Sequence, residues 1–290
     1  MGRTDLMRDA MPTPPTLQNI LSHGLEKARQ EAGILCLLTV FFGLVATILL
    51  APAIQALESI AILAERASET PDAQLTRIAE MLKEKSGLLI VSQAIVTLAM
   101  AVMLVPWARI AAGRPLPPLA GGMPALAKRS VRGFWHLILA WLLSVLAFVI
   151  ALTIAELTGM LFRPLGMALF FAGALFALWF SIAINALAHF SLTAEARGRQ
   201  ETLTSSLIRG RLFLRPMTAS FAVLFIGLLV VNTLAGTAIT VLVPPSVANT
   251  LSYVVSFGLW YLATALFIAG TGLIPDLGMI LGTGEQDRGH

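Results

Sequence analysis

Apolar residues come in long runs along this chain, with little strict alternation. Five stretches contain no Asp, Glu, Lys or Arg: 32–57, 86–108, 133–155, 164–194 and 216–275. A helix rising about 1.5 Å per residue needs roughly 20 apolar residues to cross a bilayer core. The first four stretches each fit one crossing. The fifth is long enough for two, and Pro244-Pro245 break it where the chain must reverse. The pattern predicts six spans, at about 33–57, 87–110, 133–157, 164–192, 217–243 and 247–273. The fold class is therefore all-α, a polytopic membrane protein built as a six-transmembrane-helix bundle. Barrel strands would be about 10 residues long and alternating, and open strands would leave backbone groups unpaired in lipid.

The segments between the runs have their own patterns. Pro12, Pro14 and Pro15 mark an extended arm; Leu17, Ile20, Leu21, Leu25 and Ala28 then recur at helical spacing, opposite Gln18, Glu26, Arg29 and Gln30. That spacing predicts an amphipathic helix lying on the membrane surface before the first span, with a packed cytoplasmic helix as the alternative. In the 58–85 loop, Thr70 is a good cap and Pro71 a good first helical residue, ahead of an apolar face of Leu75, Ile78, Met81 and Leu82. A short helical cap over the bundle is expected there. The organisation is thus an arm and amphipathic helix over 1–31, a membrane domain over 32–275 with loops at 58–85, 109–132 and 195–215, and a tail over 276–290. Basic segments precede the first, third and fifth spans, which hints at three hairpin units.

Charge placement gives an orientation. Of the 20 Lys and Arg, fifteen lie on the side holding the two ends and the 109–132 and 195–215 segments. By the positive-inside rule that side faces the cytoplasm. Only 12% of residues are charged, against about 25% in soluble domains. No cleavable leader is expected, since the first apolar run begins at residue 32 and exceeds a leader's apolar core. Cys36, the single cysteine, reads as a small core residue. Trp107 and Trp135 read as interfacial belt residues, and Trp141, Trp179 and Trp260 as packing between helices.

The helical Leu17–Arg29 segment running into span one, and Ser205-Ser206-Leu207-Ile208-Arg209 ahead of span five, give the chain a family likeness. It resembles YciC-like bacterial inner-membrane proteins and the membrane domain attached to some glycerophosphodiesterases. The resemblance implies a bacterial plasma-membrane location. It supplies no catalytic residues, and no phosphodiesterase chemistry is expected of these 290 residues.

The search for chemistry is mostly negative. No ionisable residue lies deep in a span, as ion coupling would usually require. Glu156 and Arg163 flank the turn between spans three and four, where a solvated interfacial pair is expected. His23, His136, His189 and His290 stand on different segments, so no metal site is predicted. No phosphate-binding glycine loop occurs, no cofactor is implied, and no basic stripe interleaved with aromatics points to nucleic acid. In span four, Gly173, Ala177, Ser181, Asn185 and His189 recur at i+4; in span five, Asn232, Gly236 and Thr240 do the same. They suggest a polar seam between those two helices, either for packing or for passage of a solute. The inner basic residues Lys128, Arg129, Arg132, Arg209, Arg211 and Arg215 suit anionic lipid headgroups or an acidic protein partner. The expected function is therefore non-catalytic, a lipid- or protein-interacting scaffold or accessory subunit. The alternative is a permease subunit with Ser181, Asn185 and Asn232 along its path.

Overall fold

The computed structural model describes residues 15–66, 71–113, 119–196, 203–210 and 213–274. They form eight helices and no strand: α1 (Leu17–Gln30), α2 (Ala32–Arg66), α3 (Pro71–Ala111), α4 (Leu119–Leu161), α5 (Arg163–Ala196), α6 (Leu203–Gly210), α7 (Leu214–Leu242) and α8 (Pro245–Thr271). Six contain segments long and apolar enough to span a bilayer: Ala32–Ile60, Lys83–Ala111, Pro124–Leu161, Arg163–Thr193, Leu214–Leu242 and Ser246–Thr271. The protein is a multi-pass membrane protein, and the six predicted spans are present within a few residues, except that the third starts at Pro124 instead of 133.

Helix ends depart from the expected pattern more than spans do. The cap over 70–82 is not a separate helix, because α3 begins at Pro71 and continues unbroken into its span. The charged residues from Glu80 to Lys85 mark where the helix meets water, and nothing among them breaks it. The first span continues outward as the apolar Ile60, Ile62 and Leu63 predict, with α2 running to Arg66, whereas α4 begins at Leu119, well inside the expected 109–132 loop. No separate surface helix precedes α4 among the described residues, which weakens the regularity of the three hairpin units. The hairpins α2–α3, α4–α5 and α7–α8 do pack as pairs, the α4–α5 interface being the most extensive. The arm over 1–14, Thr70 and the tail over 276–290 lie outside the described residues.

The core gathers at the end of the bundle that carries α1. Phe42, Leu104, Trp107, Leu192, Tyr261 and Ile268 form one fully buried cluster. Ile20, Phe190, Met217, Phe221 and Phe267 form another. Trp107 is wholly buried and donates its indole N–H to the Ala265 carbonyl at 2.8 Å, while the Tyr261 hydroxyl donates to the Met103 carbonyl at 3.2 Å. Trp107 is therefore a tie between α3 and α8 instead of a belt residue. Trp135 is exposed, Trp141 and Trp260 are half-buried, and Trp179 is exposed instead of packed between helices. Cys36 is also exposed, on the lipid side of α2, and is not a core residue.

Away from α1 the bundle opens. On α7 the buried residues are confined to the first turns, at Met217, Thr218, Ser220 and Phe221. Leu161, Val241 and Leu242 at the far ends of α4 and α7 are among the most exposed side chains. Apolar surface on that scale needs lipid around it.

Two glycine pairs fix α8 at the centre of the fold. A side chain on Gly24 would meet the Leu266 carbonyl at 2.5 Å, and one on Gly270 would run into the Ile20 carbonyl. Gly43 and Gly258 form the second pair, with Gly43 against the Val254 carbonyl and Gly258 3.1 Å from that of Thr39. Close backbone approach through small residues replaces the hydrophobic drive that lipid does not supply. The same contacts explain α1, whose Ile20 and Gly24 are buried against α8 and α7 while Leu25 points outward. The amphipathic helix is docked on the bundle through its centre and does not simply float on the surface.

Candidate functional site

The basic residues collect at the α1 end. Lys128 is exposed on α4, with Arg132 one turn further along the same side, and Arg129 beside them; both arginines are half-buried and have interaction partners. Arg215 is exposed in the first turn of α7. Arg209 belongs to α6, and its side chain lies outside the described residues, as does Arg211 altogether. The same end carries Lys27 and Arg29 of α1 and Arg109 in the last turn of α3, against the acids Glu26 and Glu31. Arg109 was not singled out from the sequence; its signal was its place in a last turn, where the helix dipole favours a cation. Arg215 is the reverse case, a cation at the positive end of a helix dipole, a placement that costs about 0.3–1 kcal/mol unless an anion is near. The opposite end holds Glu58, Glu80, Glu84 and Glu156 with Lys83, Lys85 and Arg163. Glu156 and Arg163 are both exposed, and among the described residues they form no ion pair.

The polar seam divides in two instead of joining spans four and five. Gly173 lies against Ala151 of α4, and Ala177 is fully buried. Asn185 Nδ2 donates to Ser144 Oγ of α4 at 3.2 Å and to the Ser181 carbonyl at 2.8 Å. On α7, Asn232 Oδ1 accepts from Ser256 Oγ of α8 at 2.7 Å, and Gly236 is half-buried with no neighbour close to it. Thr240 is exposed, and its hydroxyl bonds back to the Thr237 carbonyl. Thus Asn185 belongs to the α4 interface and Asn232 to the α8 interface, while the Ser181 carbonyl accepts from Asn185 within α5. His189 reaches α7, with its ring centroid 5.3 Å from that of Phe221. Its Nδ1 lies 2.7 Å from the Asn185 carbonyl, so that nitrogen carries the proton, and Nε2 is buried without a partner.

One buried arrangement looks like chemistry at first sight. His136 Nδ1 of α4 is 2.7 Å from Ser191 Oγ of α5, and both are buried. The serine's one proton is given to the Ala188 carbonyl at 2.6 Å. His136 Nδ1 must therefore donate to Ser191 Oγ, the reverse of an imidazole removing a nucleophile's proton. The pair clamps α4 to α5. Nothing in their sequence spacing of 55 residues signals the contact. Among the described residues, no group of three His, Cys, Asp or Glu gathers as metal ligands would.

His23 on α1 is held below the usual imidazole value, first by partial burial and then by Lys27 one turn on, with Glu26 opposing. It therefore adds little positive charge to the basic end near neutral pH.

Set against protein-family models, curated proteins and solved structures, the chain matches none of them.

Proposed function

We propose that this is a non-catalytic protein of the bacterial inner membrane, with the α1 end in the cytoplasm, that acts as a scaffold or accessory subunit. Its working surface is the basic end formed by Lys128, Arg129, Arg132, Arg209, Arg211 and Arg215, and its ligands are anionic lipid headgroups or an acidic protein face. The observation that carries the reading is the charge asymmetry between the two ends of the bundle. Cations within a Debye length of an anionic leaflet each contribute about 1 kcal/mol of attraction. Arg215, placed against its own helix dipole, gains most from an anion. The likeness to YciC-like proteins through Leu17–Arg29 and Ser205–Arg209 fits the same location.

The test is extraction into native-lipid nanodiscs and mass spectrometry of what copurifies. The protein should enrich anionic lipid or one acidic protein over a neutral six-span control. Changing the six basic residues to Gln should abolish that enrichment while the melting transition remains. Equal retention by the folded variant would sink the proposal, and a stoichiometric ATPase among the copurifying proteins would favour a permease subunit.

A further inference from the structure

The half of the α4–α5 hairpin remote from α1 carries a groove of about 400 Å³, bounded by Ala147–Ile154 of α4 and Leu169–Phe180 of α5 and walled almost entirely by carbon. Small residues make the recess: Ala147, Ala151 and Gly173 leave space that Phe176 and Phe180, stacked with centroids 6.4 Å apart, close on one side. The two helices are pinned above and below it. Gly166 sits directly on Gly159 near the turn, and the Asn185–Ser144 hydrogen bond ties the pair further down. The groove thus belongs to a braced hairpin and is not a gap between loosely packed helices.

Its length identifies the occupant. The seven steps from Ala147 to Ile154 and the eleven from Leu169 to Phe180 correspond to about 10 and 16 Å at a rise of 1.5 Å per residue. A single leaflet's share of a 30 Å hydrocarbon core is about 15 Å. One end of the groove lies near mid-span, and the other approaches the α4–α5 turn. There Arg163 stands exposed six residues before Leu169, with no ion pair among the described residues. A guanidinium presents a planar fork of donors that matches a phosphate group.

We propose that this groove binds one acyl chain of a phospholipid from the leaflet at the α4–α5 turn, with the phosphate on Arg163. The site lies at the opposite end of the bundle from the basic surface and does not depend on it.

The experiment uses the full chain in nanodiscs of phosphatidylethanolamine and phosphatidylglycerol, doped with a phospholipid bearing a diazirine on one acyl chain. After illumination, labelled peptides are mapped. Labelling should concentrate on 147–154 and 169–180 over the equally exposed face of α7 near Ile226–Leu234. Ala147→Phe fills the recess and should bring groove labelling down to the α7 level. Arg163→Gln, at an exposed turn where folding is not at stake, should lower it by about fivefold, with Arg163→Lys recovering part of the loss. Uniform labelling of all lipid-facing helices, or labelling unmoved by Arg163→Gln, would overturn the site. So would cross-links joining two copies of the chain through the groove, since a second copy would then be its occupant.

Discussion

Replacing Gly24 with Leu sets two effects against each other. Leucine is a better helix former than glycine, by somewhat less than the roughly 0.8–1 kcal/mol that separates alanine from glycine, so α1 gains intrinsic helicity. The first side-chain carbon would stand 2.5 Å from the Leu266 carbonyl, where ordinary contact begins at 3.4 Å. Separation must therefore grow by at least about 0.9 Å for a methyl group, and by more for the remaining leucine atoms. Both sides of the contact are backbone, so no rotamer change relieves it. Displacing α1 releases Ile20, which is 1% exposed when docked. Full burial of such a side chain is worth about 1.5–3 kcal/mol, and α1 lies outside the spans, so water is the alternative environment. The docked population should fall by about ten- to a hundredfold. Hydrogen exchange of the α1 amides in nanodiscs reads that ratio directly. Gly33→Leu is the control, because nothing lies within 4 Å of a side chain added there. Unchanged α1 protection in Gly24→Leu would refute the glycine-pair account of docking.

Three further outcomes are expected. Ser191→Ala removes the acceptor of the His136 Nδ1 hydrogen and should cost about 1–3 kcal/mol, whereas Asn185→Leu should cost about 0.6 kcal/mol; the opposite order in an SDS unfolding titration would contradict the donor assignment. Trp107→Ala empties a fully buried site that also ties α3 to α8 and should cost at least about 3 kcal/mol, so a melting point no lower than that of Trp135→Ala would argue against it. His23 is held below its ordinary 6.5 when α1 is docked, so the undocked helix takes up a proton more readily. Docking should therefore be strongest above pH 6.5 and weaken as pH falls below it. Exchange of α1, corrected for intrinsic rates, should show that dependence in the parent chain and lose it in His23→Gln.

The spans were legible because lipid imposes a simple composition on whatever crosses it. Helix ends were less so, since charge reports where water begins but only proline, glycine or a cap ends a helix. Pro71 was read correctly as a first helical residue, yet the helix it opens was expected to be a short separate cap and instead runs on into the span. The seam on α5 failed for a geometric reason. A helix advances 100° per residue, so each i+4 step turns by 40°, and the four steps from Gly173 to His189 turn by about 160°. That rotation carries the stripe from Ala151 on α4 around to Phe221 on α7. The buried His136–Ser191 pair has no short-range pattern at all, because two residues so far apart in sequence meet only after both spans are laid side by side. The basic end was visible through residue counts alone, but Arg109 needed the helix boundary to place it.

The position of α8 bears on how the molecule is made. Its partners Gly24 and Gly43 emerge more than two hundred residues before Gly258 and Gly270. At about 5–20 residues per second, the opening helices wait some 10–40 s before their partner exists. During that interval α2 has lipid where Val254 and Gly258 will sit, and α1 has no docking surface. The sixth span is thus the one that locks the first, and these helices close into a bundle only once α8 has been inserted.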